Sequence, residues 1–286
     1  MTGDNRARGG LRLGFTADAA GRTRLTERAQ EPPLQVVRAF ELPDGAALVH
    51  LHNVSGGVLG GDRLETAITV GPGAQAQVTT TGATRVYRPR ASDQTAVQIT
   101  TVQVGADGLL EWLPDPLIPF SGSRFRQETR ITLAPGAGLL WWETVAPGRV
   151  AHGERFAYDR LDLALDIHAD GRLVARERAR LEPAHRPLDA PARLGPYQHF
   201  CTFYVCRAGE PPARWAALEA QLGTLAQEMS RPGDLLWGAS ALPAHGLSVR
   251  ALSRTGRDLP AGLLAFWRAA KRALYRRDAA PPRKVY

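Results

Sequence analysis

The sequence predicts a mainly β protein, with layered antiparallel or mixed sheets in a sandwich-like arrangement, two helices in the C-terminal third, and one domain over residues 1–286. Three observations carry this expectation. Apolar and polar residues alternate with a period of two through several segments. Turn-forming Pro, Gly and Asp residues recur at short intervals between those segments. Two late segments break the pattern with apolar residues at helical spacing.

The elements follow in order. Residues 46–51 and 137–145 are apolar enough for buried strands, and residues 63–70 read as strand. Residues 94–104 are rich in Val, Ile and Thr, while 123–133 alternates charge with Phe125, Ile131 and Leu133. Residues 161–167 put Leu161, Leu163, Leu165 and Ile167 on one face. Pro43-Asp44-Gly45, Gly71-Pro72-Gly73, Asp107-Gly108, Pro135-Gly136, Pro147-Gly148 and Asp170-Gly171 sit between strand-like runs. Pro presets φ and the following Gly supplies the positive φ of a type II turn. Val70-Gly71-Pro72-Gly73-Ala74 is echoed by Leu133-Ala134-Pro135-Gly136-Ala137, as a duplicated hairpin unit or as two ordinary turns. Two copies are too few for a solenoid. A helix is predicted over 212–229, with Trp215, Leu218, Leu222, Leu225 and Met229 on one stripe. A second is predicted over 259–277, with Asp258 as its cap and Pro260 in its first turn. Leu263, Leu264, Trp267, Leu274 and Tyr275 form its apolar stripe, and Arg268, Lys271, Arg272, Arg276 and Arg277 cover most of the remainder.

Composition narrows the function classes. A chain that is 44% hydrophobic and 22% charged is an ordinary globular one. No apolar run is long enough to cross a bilayer, and no apolar h-region follows the first ten residues, so a cytoplasmic protein without a membrane partner is expected. Cys201 and Cys206 have neither the number nor the spacing of a disulfide framework or a zinc knuckle. On a strand their odd offset puts them on opposite faces, as two small buried hydrophobes. The net charge of +8 lies within residues 250–286, which hold ten Lys or Arg and two Asp. A basic tail suits either nucleic acid or an acidic protein partner.

Ser55-Gly56-Gly57-Val58-Leu59-Gly60-Gly61-Asp62 is the sharpest local feature. It lacks the Lys-Ser/Thr pair and the spacing of a phosphate loop, and a strand rather than a helix follows it. A turn pair that fixes Asp62 is the better reading, with Gly60 and Gly61 at positions poorly open to side chains. Ser55 does not stand in a nucleophile elbow, and the seven histidines show no catalytic spacing. His50 and His52 share a strand face but lack a spaced third ligand. Acids in strand-like context, Asp62, Glu65, Glu111, Asp115, Glu143 and Glu154, either pair with Arg63, Arg85, Arg88 and Arg149 or handle a cation. No permanent metal is expected, because no complete ligand set is spaced for one.

In blocks from about Leu48 to the end, and most sharply at this glycine block, the chain resembles the UreD (UreH) family of urease accessory proteins. The family's S-G-G-x-x-G-G-D-x-L is matched by Ser55, Gly56, Gly57, Gly60, Gly61, Asp62 and Leu64. A G-P-G-A turn follows at 71–74, then Thr80-Thr81 and Ala83-Thr84-Arg85-Val86-Tyr87-Arg88, with Arg85 in place of a common Lys. Leu110-Glu111-Trp112-Leu113-Pro114, Ile118-Pro119-Phe120, Gly148-Arg149, Gly153-Glu154, Ala241-Leu242-Pro243 and the Trp267 helix are also similar to the family. Pro116-Leu117 stand where members often carry Glu-Thr, and Tyr197 to Cys206 depart from the family pattern. The resemblance implies a layered β fold with two helices and a non-enzymatic scaffold in urease maturation. It implies binding to the accessory proteins UreF and UreG and to the urease apoprotein, with nickel handled in transit. Candidate passage residues are then Asp62 first, followed by Glu65, Glu111, Asp115 and Glu143; Arg268, Lys271, Arg272 and Arg276 become a candidate docking face. A β-rich hydrolase with a site assembled in space, or a nucleic-acid binder using the basic tail with Trp267 and Tyr275, is the alternative.

Overall fold

A computed structural model describes residues 6–90 and 94–282. Among them are seventeen strands and two α-helices, the mainly β composition expected. In chain order the first strands are β1 (Arg8–Ala17), β2 (Thr23–Glu31), β3 (Leu34–Glu41), β4 (Ala47–Asn53), β5 (Arg63–Val70) and β6 (Gln75–Thr80). Then come β7 (Thr84–Val86), β8 (Ala96–Val104), β9 (Leu109–Trp112), β10 (Leu117–Pro119), β11 (Arg124–Leu133) and β12 (Gly138–Val145). The remainder are β13 (Arg160–Ala169), β14 (Arg172–Leu181), β15 (His199–Arg207), α1 (Pro212–Met229), β16 (Leu235–Ala241), β17 (Gly246–Ser253) and α2 (Leu259–Tyr275).

The strands form a seven-stranded sheet, ordered β14-β13-β11-β8-β5-β1-β2, and a ten-stranded sheet whose main path is β16-β17-β15-β12-β9-β6-β4-β3. From β4 to β13 the chain crosses from sheet to sheet at almost every step. Successive visits to one sheet are parallel: β5, β8, β11 and β13 in the first, β4, β6, β9 and β12 in the second. The Pro-Gly-Ala echo therefore marks a coil repeat; it is neither two ordinary turns nor a duplicated hairpin, because each turn crosses between sheets and the strands it feeds lie parallel. A third copy, Gly105-Ala106-Asp107-Gly108, sits between them; its Asp107-Gly108 turn is visible in the sequence, but it does not read as a copy because it lacks proline and gives the left-handed position to Asp107 (φ 55°). The three turns stack through Gly73 N–H to Ala106 O (2.9 Å) and Asp107 N–H to Pro135 O (3.1 Å).

Two cores result. Leu64, Ile68, Val102, Phe125 and Ile131 of the first sheet meet Val49, Val78, Leu110, Leu139 and Trp141 of the second. On the other face of the ten-stranded sheet, Leu140, Trp142, Phe203 and Val249 carry α1 and α2 through Trp215, Leu222, Phe266 and Trp267. β12 is buried on both faces, which explains its continuous apolar run. Cys206 lies in the first core and Cys201 in the second, the opposite faces their spacing implies, and burial pushes both thiols up to about 12.

α1 spans the predicted residues. α2 ends at Tyr275, with Arg276 in the left-handed conformation. Asp258 does not cap it through its side chain; its carboxylate accepts from Thr255 Oγ1 and from Arg231 Nη2, both at 2.8 Å. Lys271 is also corrected. It is 0% exposed, so it belongs to the buried stripe and not to a docking face, whereas Arg268, Arg272 and Arg276 are exposed. Trp267 is 0% exposed as well, which removes it from any base-stacking role.

Candidate functional site

The sharp turns join the sheets at one end of the coils. At the other end, longer loops make the return crossings, and these loops carry the sequence's distinctive blocks. Residues 54–62 lead from β4 to β5, 113–123 from β9 to β11 and 146–159 from β12 to β13, while 81–90 follow β6 and 94–95 precede β8. They stack as the strands do. Val58 bridges Val86 in parallel, β7 pairs β10, and Leu117 pairs Val145. Val58 N–H donates to Arg85 O and Tyr87 N–H to Val58 O, each at 2.8 Å, and Tyr87 Oη donates to Gly56 O at 3.3 Å. Tyr87 meets Phe120 edge-on at 4.9 Å, and the Arg149 guanidinium lies 4.3 Å from the Phe120 ring centroid. Arg149 is held by a bidentate pair with Glu154, so this acid is an anchor for the loop.

Within the glycine block, Ser55 Oγ donates to Gly57 O (2.7 Å) and Asn53 Nδ2 to the same oxygen (3.0 Å). Asp62 is 5% exposed, and its carboxylate accepts from Ala7 N–H (2.9 Å) and Leu59 N–H (2.8 Å). It ties the start of β1 to the block, and both of its oxygens are engaged by backbone. Thr84 N–H donates to Pro116 O at 2.9 Å, while Arg85 and Arg88 project from the loop as exposed residues.

Behind these loops, between the sheets, lies a cavity of about 250 Å³. Gly56, Gly57 and residues 81–85 line it from the loops, beside Thr80 at the end of β6. Its inner wall is polar because the first sheet turns Thr66, Gln98, Thr100 and Gln127 inward, at positions where Leu64 and Leu163 continue the apolar core. Register sets them side by side: Thr66 opposite Thr100, and Gln98 opposite Gln127. The second sheet contributes Trp112 and Trp141, stacked at 4.7 Å, with Asp115 and Glu143.

The structure therefore gathers two of the candidate acids and disperses three. Asp115 N–H donates to Thr80 Oγ1 (2.8 Å), whose hydroxyl donates to Asp115 Oδ2 (3.1 Å). Glu143 Oε1 accepts from Gln127 Nε2 at 2.6 Å. Glu65 points to the outer face of the first sheet, 57% exposed and 2.7 Å from Arg63. Glu111 lies across the second sheet from the cavity, buried against α2, where Lys271 Nζ (2.7 Å) and Trp267 Nε1 (2.6 Å) donate to it. Sequence reasoning missed Gln127, Gln98 and the inward threonines. The available signal was polar side chains at core parity within β-rich runs.

Burial, reinforced by neighbouring Glu177, pushes the Glu143 carboxyl up to about 7. A raised carboxyl binds a proton in the folded state that the unfolded chain has released, so this group costs stability as pH rises from 4.5 through about 7. Glu143→Gln should match wild type at acid pH and exceed its stability by about 2 kcal/mol above neutrality, the cavity-facing side of the carboxyl reducing the full linkage value. Denaturation midpoints across this pH range check it, and equal pH slopes for both proteins would refute it.

His50 and His52 share one face of β4, and burial followed by repulsion from His50 lowers the His52 pKa. No group of three or more His, Cys, Asp and Glu side chains that could hold a metal exists among the described residues. No helix among them is long and apolar enough to cross a membrane.

The model of the UreD urease accessory protein family matches residues 7–286. A urease accessory protein UreD from Herpetosiphon aurantiacus is 49% identical over 281 residues, covering 98% of this chain and 97% of its own. The proteins of that name from Cenarchaeum symbiosum and Pseudomonas putida are each 37% identical, over 82% and 92% of this chain and over 81% and 88% of their own.

Proposed function

The chain belongs to the UreD urease accessory protein family, and we propose that it serves urease maturation as a non-catalytic scaffold through which nickel passes to the urease apoprotein. The observation that carries the nickel reading is the inter-sheet cavity, whose two carboxylates, Asp115 and Glu143, share its lining with neutral Gln and Thr groups and with Arg85 on the loop side. Nickel is cargo here, so weak sites suit its transfer, whereas a complete ligand set would retain the ion. Oxygen ligands from two acids, with Gln and Thr beside them, bind a divalent ion loosely and release it. Glu143, with its carboxyl near 7, alternates between charged and neutral forms at neutral pH, which weakens its hold further. The partners in this reading are UreF, UreG and the urease apoprotein, met in the cytoplasm, and the exposed Arg268 and Arg272 of α2, with Arg276 just beyond its end, offer one face for an acidic partner.

Reconstitution with purified UreF, UreG, urease apoprotein and nickel tests the reading. The double variant Asp115→Asn, Glu143→Gln should assemble normally yet activate urease about tenfold less well, as loss of the two charges removes the cation's resting points. Full activation by this variant would overturn the cavity as the nickel route.

A further inference from the structure

The two sheets are unequal in width. On the side facing the seven-stranded sheet, the ten-stranded sheet continues past β15 to β17 and β16, while its partner ends at β14. The helices cover only the opposite face, through Leu235, Trp237, Leu247 and Val249. The near face of β16 and β17 is consequently left open as a groove of about 760 Å³, closed along one side by β14 and by the loop 182–198. Phe200, Leu236 and Leu252 come from the strands, and Leu181, Leu188 and Leu194 from the closing wall.

The charges around this apolar floor are one-sided. Arg180, Arg186, Arg193 and Arg250 line the groove, against Glu177 as the one acid of the lining. Glu177 is already engaged, accepting from Tyr204 Oη at 2.6 Å with Arg250 at 3.8 Å. Arg180 is held by Asp162, but Arg186 and Arg193 are exposed and form no salt bridge among the described residues. A guest cannot join the sheet at its β16 edge, because two N–H groups of that edge are taken from α1's side: Trp237 N–H by Ser230 Oγ and Ala241 N–H by Glu219 Oε1, each at 2.9 Å. The guest must lie on the face, where side chains and not backbone decide recognition.

We propose that this groove docks a protein segment that carries carboxylates beside apolar side chains, supplied by one of the maturation partners. Apolar side chains of the segment cover the leucines and Phe200, and its carboxylates meet Arg186 and Arg193 in the bidentate geometry that guanidinium favours. The proposal rests on the maturation reading for the source of the segment. It does not depend on the route that nickel takes.

Assembly of the full chain with purified UreF, UreG and urease apoprotein, followed by gel filtration at low and high salt, tests it. Three variants are compared with wild type: Arg186→Glu with Arg193→Glu, the groove-filling Ser240→Trp, and, as a control, Arg12→Glu on the exposed face of β1, far from the groove in the seven-stranded sheet. Circular dichroism melts establish that each is folded. The first two should weaken assembly about tenfold or more at low salt, the charge variant losing most of its deficit at high salt, while the control assembles as wild type does. If the wild type assembles and both groove variants assemble equally well, the groove proposal falls and the maturation reading stands. If Ser240→Trp alone weakens assembly, the acidic character of the guest is overturned. If the wild type binds none of the three proteins, the maturation reading falls and the groove proposal falls with it.

Discussion

Lys271→Ala should destabilise the protein by about 3–5 kcal/mol, the cost of breaking a buried ion pair from one side. Lys271 is fully buried, with Nζ 2.7 Å from Glu111 Oε1 and 3.2 Å from Asp44 Oδ2. Glu111 also accepts from Trp267 Nε1 at 2.6 Å and from Gln77 Nε2 at 3.4 Å. One cation thus serves two carboxylates, and one of those binds α2 to the face of the ten-stranded sheet. Burial already raises the Glu111 carboxyl against the opposing pull of Lys271. Removing the ammonium raises it further. The folded variant then holds a proton that its unfolded chain has released, so its stability deficit should widen as pH climbs from the ordinary carboxylate range toward neutrality. Adding Glu111→Gln to Lys271→Ala should recover part of the loss at neutral pH. Replacing the pair with Lys271→Met and Glu111→Leu should cost little, because a packed apolar pair needs no desolvation. Urea denaturation at acid and neutral pH measures all four proteins. A loss below about 1 kcal/mol for Lys271→Ala, or one that ignores pH, would mean that water reaches this pair and screens it.

The placement of Lys271 shows where sequence reasoning lost its footing. Leu263, Trp267, Ala270 and Leu274 define the buried stripe of α2, and Lys271 lies four residues beyond Trp267, within it. The spacing was sufficient; residue type argued the other way, since lysine is rarely buried unless paired. Its partners are 160 and 227 residues away in sequence, a separation no local pattern encodes. β5, β11 and β13 were legible for the opposite reason. In each, one face meets a core and the other meets water, so burial writes itself as alternation. β2 gave no such signal: after Thr23 its residues are half-buried or exposed, and its sequence is polar but for Leu25 and Ala29. The glycine block was legible as a demanding backbone segment. That it stacks on the Thr-Arg-Val-Tyr-Arg block, and that both line the cavity, depends on the sheet-to-sheet crossings, which stayed hidden because the turn at 105–108 does not resemble the other two copies.

That stacking leads to the second large effect. Gly60→Ala should destabilise the protein by about 3 kcal/mol, because the added methyl has nowhere to go. A Cβ at Gly60 would stand 2.3 Å from Pro89 Cβ, 2.6 Å from Pro89 Cα and 2.9 Å from Gln94 O. Two of these three are backbone atoms, and Pro89 follows the Arg88 that ends the adjacent block, so relief requires the two loops to part. Gly61 is different. Its φ of +93° strains any side chain, but a Cβ there would meet only the side chain of Arg6, at 3.3 Å, and that chain can swing away. Gly61→Ala should therefore cost about 1 kcal/mol, from the left-handed backbone alone. The order matters more than either value. It separates close approach between loops from backbone conformation as the reason for the double glycine. Hydrogen exchange adds a local readout: in Gly60→Ala the amides of Val58 and Tyr87, which pair the two loops, should lose protection while those of α1 keep it. Parting the loops also opens the lining formed by Gly56, Gly57 and Arg85, so urease activation should fall in Gly60→Ala at temperatures where the protein is still folded. A Gly60→Ala protein as stable as wild type, or more stable than Gly61→Ala, would show that the loops do not touch in this way.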